Sequence, residues 1–187
     1  MLDQETKSRI ENQTLSSAKN LLHSMEDILL WTKDQMENFN PVFKNIEIMS
    51  VFEDTKNHFY AEKNVEIIFE NPEKIILISD ENFLKTIIRN LTGNAIKALS
   101  LDYTGHDKNA TIIWKAWQKE NHTYLSISDN GSGANTAAFR NLYIENEISD
   151  TQSGLGLHLI RDLAKAINCE ISVDSKENIG TTFTLKL

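Results

Sequence analysis

Four of the seven glycines in this chain fall into two G-x-G pairs, Gly131/Gly133 and Gly154/Gly156. Glycine permits positive φ and lets a ligand approach the backbone closely, so two such pairs in a glycine-poor chain suggest more than two unrelated turns. The first pair belongs to DNGSG at 129–133, opened by Asp129 at the end of an apolar run. A carboxylate there can accept from an exocyclic amine at the bottom of a pocket while the glycines turn the chain around a base. An Asx-type turn after a strand is the plainer alternative. The second pair sits in SGLGLHL at 153–159, where a helix start would offer free amides and the positive dipole end to phosphate oxygens. Upstream, Asn90, Asn94 and Lys97 follow one another at steps of four and three. Asparagine brings a neutral oxygen for a hard cation and an amide donor for phosphate, and lysine brings a point charge, a set suited to a magnesium-phosphate unit. A solvated helix edge would explain the same trio without any ligand.

These side chains need elements to hold them. Asp80 has the position of an N-cap for a helix of about five turns reaching Ser100, with Leu84, Ile88, Leu91, Ala95 and Ala98 facing inward and the polar trio along its flank. Gly154 to Ile167 reads as a second amphipathic helix, with Leu159, Ile160, Leu163, Ala164 and Ile167 inward. Ala110–Trp117 and Tyr124–Asp129 read as paired strands around Lys119–His122, and Glu170–Val173 and Thr181–Leu187 as strands around the turn at Gly180. Val65–Phe69 and Ile75–Ile78 are expected to form a strand pair around Asn-Pro-Glu-Lys. Ser50 and Glu53 have capping-box spacing for a helix to about Lys63, after an extended stretch through Ile46 and Ile48. The polar stretch from Ala134 to Ser153 has no clean period and is long for a plain connection, which makes it a candidate lid. Strands and helices do not alternate one for one, so the expected fold is an α/β two-layer sandwich of the α+β kind, a mixed sheet with helices on one face.

Ahead of this unit, Leu15, Ala18, Leu22, Met25, Leu29, Thr32, Met36 and Phe39 mark a heptad seam, widened by Leu21, Ile28 and Trp31. A single helix cannot bury that stripe, so the chain is expected to dimerise through residues 15–39. Pro41 ends the helix. The expected division is therefore 1–41, part of a helical dimerisation bundle, and 42–187, a compact domain.

Composition narrows the function. The 187 residues are 40% apolar and 25% charged, and 19 basic against 27 acidic residues leave a net charge of −8. The pI near 5.1 argues against nucleic-acid binding, which needs a basic face to release counterions. Cys169 stands alone, which excludes a disulfide framework. No run approaches the roughly 20 apolar residues of a spanning helix, and Met1 leads into Leu-Asp-Gln-Glu-Thr without a signal-like stretch, so a soluble, unsecreted chain is expected.

The ordered set NLTGNAIK, DNGSG, SGLGLHL and GTTFTL closely resembles the ATP-binding catalytic domain of sensor histidine kinases, members of the GHKL group of ATPases, over roughly Asn45 to Leu187. Four motifs in order are far more specific than any one of them. The resemblance implies a mixed, largely antiparallel sheet, with ATP lying between helices under a mobile lid. It implies Asn94 as magnesium ligand, Asn90 and Lys97 on the phosphates as the catalytic pair, and Asp129 on the adenine amine. Gly131 and Gly133 would shape the base pocket. Gly154 and Gly156, with Leu155 between them in the binding set, would hinge the lid onto the phosphates, and Thr182 would assist the adenine through water.

The pattern departs from the family in three places. Ala98 stands where an aromatic residue often stacks on the base, which implies lower adenine affinity, and Gln152 replaces an extra glycine, which implies a stiffer lid. A phosphoacceptor box is missing: His23 is followed by Ser-Met-Glu, falls on the solvent side of the heptad, and reads as a surface residue. His58, His106, His122 and His158 lack metal-ligand spacing, and His158 alone falls close to a motif. The expected activity is transfer of the ATP γ-phosphoryl to a histidine outside this chain, on an upstream phosphoacceptor helix, and then to an aspartate of a response-regulator receiver domain. The expected location is the cytoplasm, with membrane anchoring of the parent protein left open. Two alternatives remain at this point: a degenerate relay that dimerises without productive ATP use, and a serine kinase of the anti-sigma type.

Overall fold

The computed structural model describes residues 14, 25, 40–60, 62, 64–70, 74–101, 109–135, 138–139, 142–143 and 154–187. Met1–Phe39 and Asn40–Leu187 form separate compact units. In the first, Thr14 and Met25 are helical; the rest of the heptad seam, and the dimer expected through it, lie outside the described residues.

The second unit runs β1 (Lys44–Glu47), α1 (Ile48–His58), β2 (Glu66–Glu70), β3 (Ile76–Ser79), α2 (Glu81–Leu101), β4 (Thr111–Lys119), β5 (His122–Asp129), α3 (Gly154–Ala166), β6 (Glu170–Lys176) and β7 (Gly180–Lys186). Five strands form the main sheet in the order β2-β4-β5-β7-β6, and β1 and β3 form a separate two-stranded sheet. β2 and β4 run parallel, and the other three neighbouring pairs of the main sheet are antiparallel. This is the expected mixed, largely antiparallel sheet.

The period of two along β4 and β5 decides which face is covered. Ile112, Trp114, Ala116, Leu125 and Ile127 are buried together with Phe183 and Leu185 of β7, whereas Lys115, Trp117 and Lys119 are exposed. Against the buried face pack Phe52 of α1, Leu84, Ile87, Ile88 and Leu91 of α2, and Leu159, Ile160 and Leu163 of α3. Trp114 fixes the layer spacing at its centre. Its ring lies 5.9 Å from Phe52, and its indole N–H donates to Thr92 Oγ1 at 3.1 Å, so the polar edge of a fully buried ring is satisfied.

Local chemistry sets the element ends. Asp80 caps α2 as expected, its Oδ1 accepting from the N–H groups of Asn82 and Phe83 at 2.9 and 3.0 Å. Its Oδ2 accepts from Val42 N–H at 2.7 Å, so one buried carboxylate holds both the helix start and the strand leading into β1. The β4–β5 hairpin turns on Glu120 and Asn121, both at positive φ (50° and 63°), the geometry of a two-residue type I′ turn. α3 ends on Asn168 at φ 56°, with Cys169 N–H donating to Ala164 O at 2.8 Å and Asn168 N–H to Lys165 O at 3.2 Å, a Schellman closure.

Two local expectations are corrected. Ser50 and Glu53 do not form a capping box: α1 starts at Ile48 with Glu47 at its N-cap and no side-chain cap, and Ser50 Oγ donates back to Glu47 O at 2.9 Å. The start falls three residues early because Ile48, Val51, Phe52 and Thr55 supply the buried stripe. The helix ends at His58, short of Lys63. Nor do β2 and β3 pair with each other. β2 lies beside β4, with Ile67 opposite Ile112, and β3 pairs with β1, with Leu77 opposite Ile46. Pairing across the fold, with Leu77 and Ser79 of β3 buried, prevails over adjacency in sequence.

Candidate functional site

α2 carries the polar trio on one flank. Asn90 and Asn94 are half-buried and Lys97 is exposed. Asn90 Nδ2 donates to Thr86 O one turn back at 3.0 Å, which orients the amide. A Cβ built on Gly156 would stand 3.4 Å from Asn90 Oδ1. Glycine therefore lets the first turn of α3, with the unsatisfied amides that any helix start presents, come directly against the asparagine flank. The neighbouring Arg89 is turned toward α1, its guanidinium 2.5 Å from Asp54. Lys85 bridges Asp54 and Glu81, and Lys44 of β1 closes the chain onto Glu81.

At the other end of α2, β5 delivers Asp129. Its Oδ1 accepts from Gly131 N–H at 3.0 Å, and the Thr181 backbone N–H faces the carboxylate and favours its charged form. Burial raises its pKa above the ordinary value, and these two amides offset part of the rise. Gly131 is buried against Ala98: a Cβ on Gly131 would lie 3.5 Å from the Ala98 Cβ and 3.1 Å from Asp129 Oδ1. The Asp129 loop thus rests on α2 one residue past Lys97. Asn130 ties the loop to the start of β4, accepting from Thr111 N–H and donating to Asn109 O, both at 2.9 Å.

The third support is the turn between β6 and β7. Asn178 N–H donates to Ser132 O at 2.6 Å, and Ala134 N–H donates to Ser175 Oγ at 2.9 Å. Gly133, at φ 61°, has no room for a side chain because the Lys176 carbonyl occupies that space. Gly133 is thus required by the β6–β7 turn. Gly180, at φ 135°, packs against the Asp129 carbonyl in the same way. By sequence Gly180 is a turn glycine; its closeness to Asp129 follows from the pairing of β5 with β7.

Thr182 lies apart from the Asp129 carboxylate. The register sets Thr181 opposite Asp129 and Thr182 opposite Ser128, and Thr182 Oγ1 lies 2.9 Å from Ser128 Oγ. Alternation along β7 therefore puts Thr182 on the sheet face away from Asp129, and Thr181 on the face that Asp129 shares. A GTT sequence gives no local sign of which threonine faces the helices.

The expected lid is anchored at its near end. Beyond Ala134, the ring of Phe139 meets Phe183 edge-on at 5.5 Å and Leu142 is buried. Residues 136–137, 140–141 and 144–153, including Gln152, lie outside the described residues. Gly154 and Leu155 open α3, and His158 on its next turn has a pKa lowered by burial and by the nearby Arg161 charge. Burial pushes the Cys169 thiol up to about 12, which leaves it unreactive at neutral pH. Among the described residues no cluster of His, Cys, Asp and Glu could hold a metal, and no helix is long and apolar enough to cross a membrane.

One side of α2 thus meets a half-buried carboxylate on a glycine loop beside Ala98 and, eight residues back, sets Asn90 against the glycine-opened start of α3. Residues 79–187 match the family described as histidine kinase-, DNA gyrase B-, and HSP90-like ATPase, and the chain belongs to that family. The chain is 31% identical over 173 residues to the sensor histidine kinase YvrG of Bacillus subtilis (strain 168), a match covering 89% of this chain and 28% of YvrG. In fold it is similar to the catalytic domain of histidine kinase ThkA, with TM-score 0.64, 19% identity and coverage of 78% and 95% of the two chains. It is also similar to full-length ShkA in complex with AMPPNP, with TM-score 0.73, 20% identity and coverage of 100% and 39%. The domain is thus of the ATP-binding kind that sensor histidine kinases carry, and the matches do not favour a serine kinase or an inactive relay. The chain spans well under half of YvrG.

Proposed function

We propose that residues 42–187 bind ATP with magnesium and supply the catalytic half of a two-component sensor kinase, whose γ-phosphoryl acceptor is a histidine outside this sequence. One relationship carries the reading: the Asp129 loop rests on Ala98, and Asn90 meets Gly156 eight residues back along the same helix. Asn90 to Ala98 spans about 12 Å at 1.5 Å per residue, a length that a nucleoside triphosphate can bridge from base to terminal phosphate. Asp129 accepts from the adenine amine, with Gly131 leaving room for the base beside Ala98. Asn90 and Lys97 meet the phosphates, together with the amides of Gly154, Leu155 and Gly156. Asn94 offers magnesium a neutral amide oxygen, the donor type a hard cation prefers, and the ion when bound neutralises phosphate charge. The chain's own part is positioning and charge compensation, which is most of what phosphoryl transfer asks of a protein.

Residues 1–41 are read as part of the dimerisation bundle, pairing two copies through 15–39, with a response-regulator receiver domain as the next acceptor and the cytoplasm as the location. The heptad spacing and the sensor-kinase relatives support this.

Calorimetric titration with a non-hydrolysable ATP analogue, with and without magnesium, tests the site. Binding that Asp129→Ala abolishes, and a magnesium dependence that Asn94→Ala removes, is the expected result. A folded chain that fails to bind millimolar analogue would overturn the reading.

A further inference from the structure

Ser175, on the edge strand β6, lies outside every motif that points to nucleotide, yet three groups of the Asp129 surroundings converge on its hydroxyl. Ala134 N–H, just past DNGSG, donates to Ser175 Oγ at 2.9 Å. Thr181 Oγ1 lies 2.9 Å away, and Gly180 O is an acceptor at 3.4 Å. Thr181 and Gly180 are the two β7 residues against Asp129: Thr181 stands opposite it in the ladder with its backbone N–H favouring the charged carboxylate, and Gly180 packs on its carbonyl. One hydroxyl therefore ties both chain segments that frame the carboxylate, the loop after it and the strand beside it. Because it accepts from an amide and can still donate, it holds both at once. No alanine, and no residue on the opposite face of β6, can replace that bridge.

We propose that Ser175 is a positioning residue for base recognition, acting through Ala134 and Thr181 to hold the Asp129 carboxylate where an exocyclic amine can donate to it. The inference rests on the reading of Asp129 as the adenine acceptor. It predicts a defect confined to the base end of the site. The phosphate end is held by α2 and α3.

The test compares ATP with inosine triphosphate, which keeps ribose and phosphates but carries a carbonyl in place of the amine. Affinities are measured by calorimetry for the native chain, Ser175→Ala, Ser175→Cys and Ser175→Thr. The native chain prefers ATP. In Ser175→Ala and Ser175→Cys the ATP affinity falls by roughly three- to tenfold, the range of a lost hydrogen bond, while inosine triphosphate affinity stays within about twofold. The preference therefore shrinks, and Ser175→Thr, which keeps the hydroxyl, restores it. General loosening of the fold would weaken both nucleotides alike, and that outcome, or an unchanged preference in a folded Ser175→Cys chain, overturns the proposal. A native chain that does not prefer ATP overturns the adenine reading itself, and this inference with it.

Discussion

Gly156 of α3 lies against Asn90 of α2 so closely that a Cβ on the glycine would stand 3.4 Å from Asn90 Oδ1. That distance is at the short edge of ordinary van der Waals contact, so a methyl fits and a larger side chain is expected to crowd Asn90. Gly156→Ala is expected to match or raise stability, by up to about 1 kcal/mol for a helical Gly-to-Ala change, with little loss of nucleotide binding. Gly156→Leu must displace Asn90 or tilt α3, and should weaken binding by about tenfold or more, equivalent to 1.4 kcal/mol or more. Urea unfolding and calorimetric titration of the two variants separate these effects.

Asp129 is held above its ordinary pKa of 3.8 chiefly by burial. The ionised carboxylate is the stronger acceptor for the amine proton, so adenine-nucleotide affinity should begin to fall at a higher pH than it would with an exposed aspartate. The sign for stability is opposite: a raised carboxyl pKa favours the fold at low pH, and that contribution is lost as pH rises through the folded-state value. Asp129→Asn should therefore be at least as stable as the native chain at pH 7 while losing nucleotide. A variant that is less stable and still binds would contradict both halves.

Glu81 behaves the other way. Hydrogen bonds from Lys44 and Lys85 hold its carboxyl down from 4.5 to about 2. A depressed pKa stabilises the fold above the unfolded value and is lost as pH falls, here between about 4.5 and 2. Glu81→Gln should cost less than about 1 kcal/mol at pH 7, because solvent screens the network, and the difference should vanish near pH 2. Denaturation midpoints across that range, compared between native and variant, check it.

Gly93 lies in the middle of α2 and in the NLTGNAIK motif, yet a Cβ there would meet only the Phe59 ring, at 3.9 Å. Gly93→Ala should stabilise the chain by roughly 0.5–1 kcal/mol and leave nucleotide affinity unchanged. A drop in affinity would show that the motif needs this glycine for a reason other than space.

Thr92 accepts the Trp114 indole N–H in the core. Thr92→Val keeps the shape and strands a buried donor, which should cost about 1–3 kcal/mol. Double substitution with Trp114→Phe should cost less than the sum of the two single changes, as expected when both report one bond.

The motifs were legible because each is local. A glycine that needs positive φ, a carboxylate closing a strand, an N-cap three residues ahead of a helix face and asparagines one turn apart all state their geometry within a few residues. The sequence therefore located both helices of the site, Asp80 as cap, Asp129 as the loop's first residue, and the α+β class. It also suggested the heptad of 15–39, whose pairing lies outside the described residues.

What it could not state is which segments meet across the fold. β2 and β3 are separated by a short loop and look like a hairpin, but they pair across the fold, with β4 and β1. Thr181 and Thr182 are indistinguishable as neighbours in a β-rich run; only the register against β5 turns Thr181 toward Asp129 and Thr182 toward Ser128. Gly180 reads as a turn residue and Ser175 carries no signal of its own until the β5–β7 and β6–β7 ladders bring them under the glycine loop. Local backbone preference is written residue by residue, whereas pairing is chosen by the burial and hydrogen-bond satisfaction of the whole sheet. For that reason the chemistry of the site was visible in the chain, and its alignment emerged only when the strands closed.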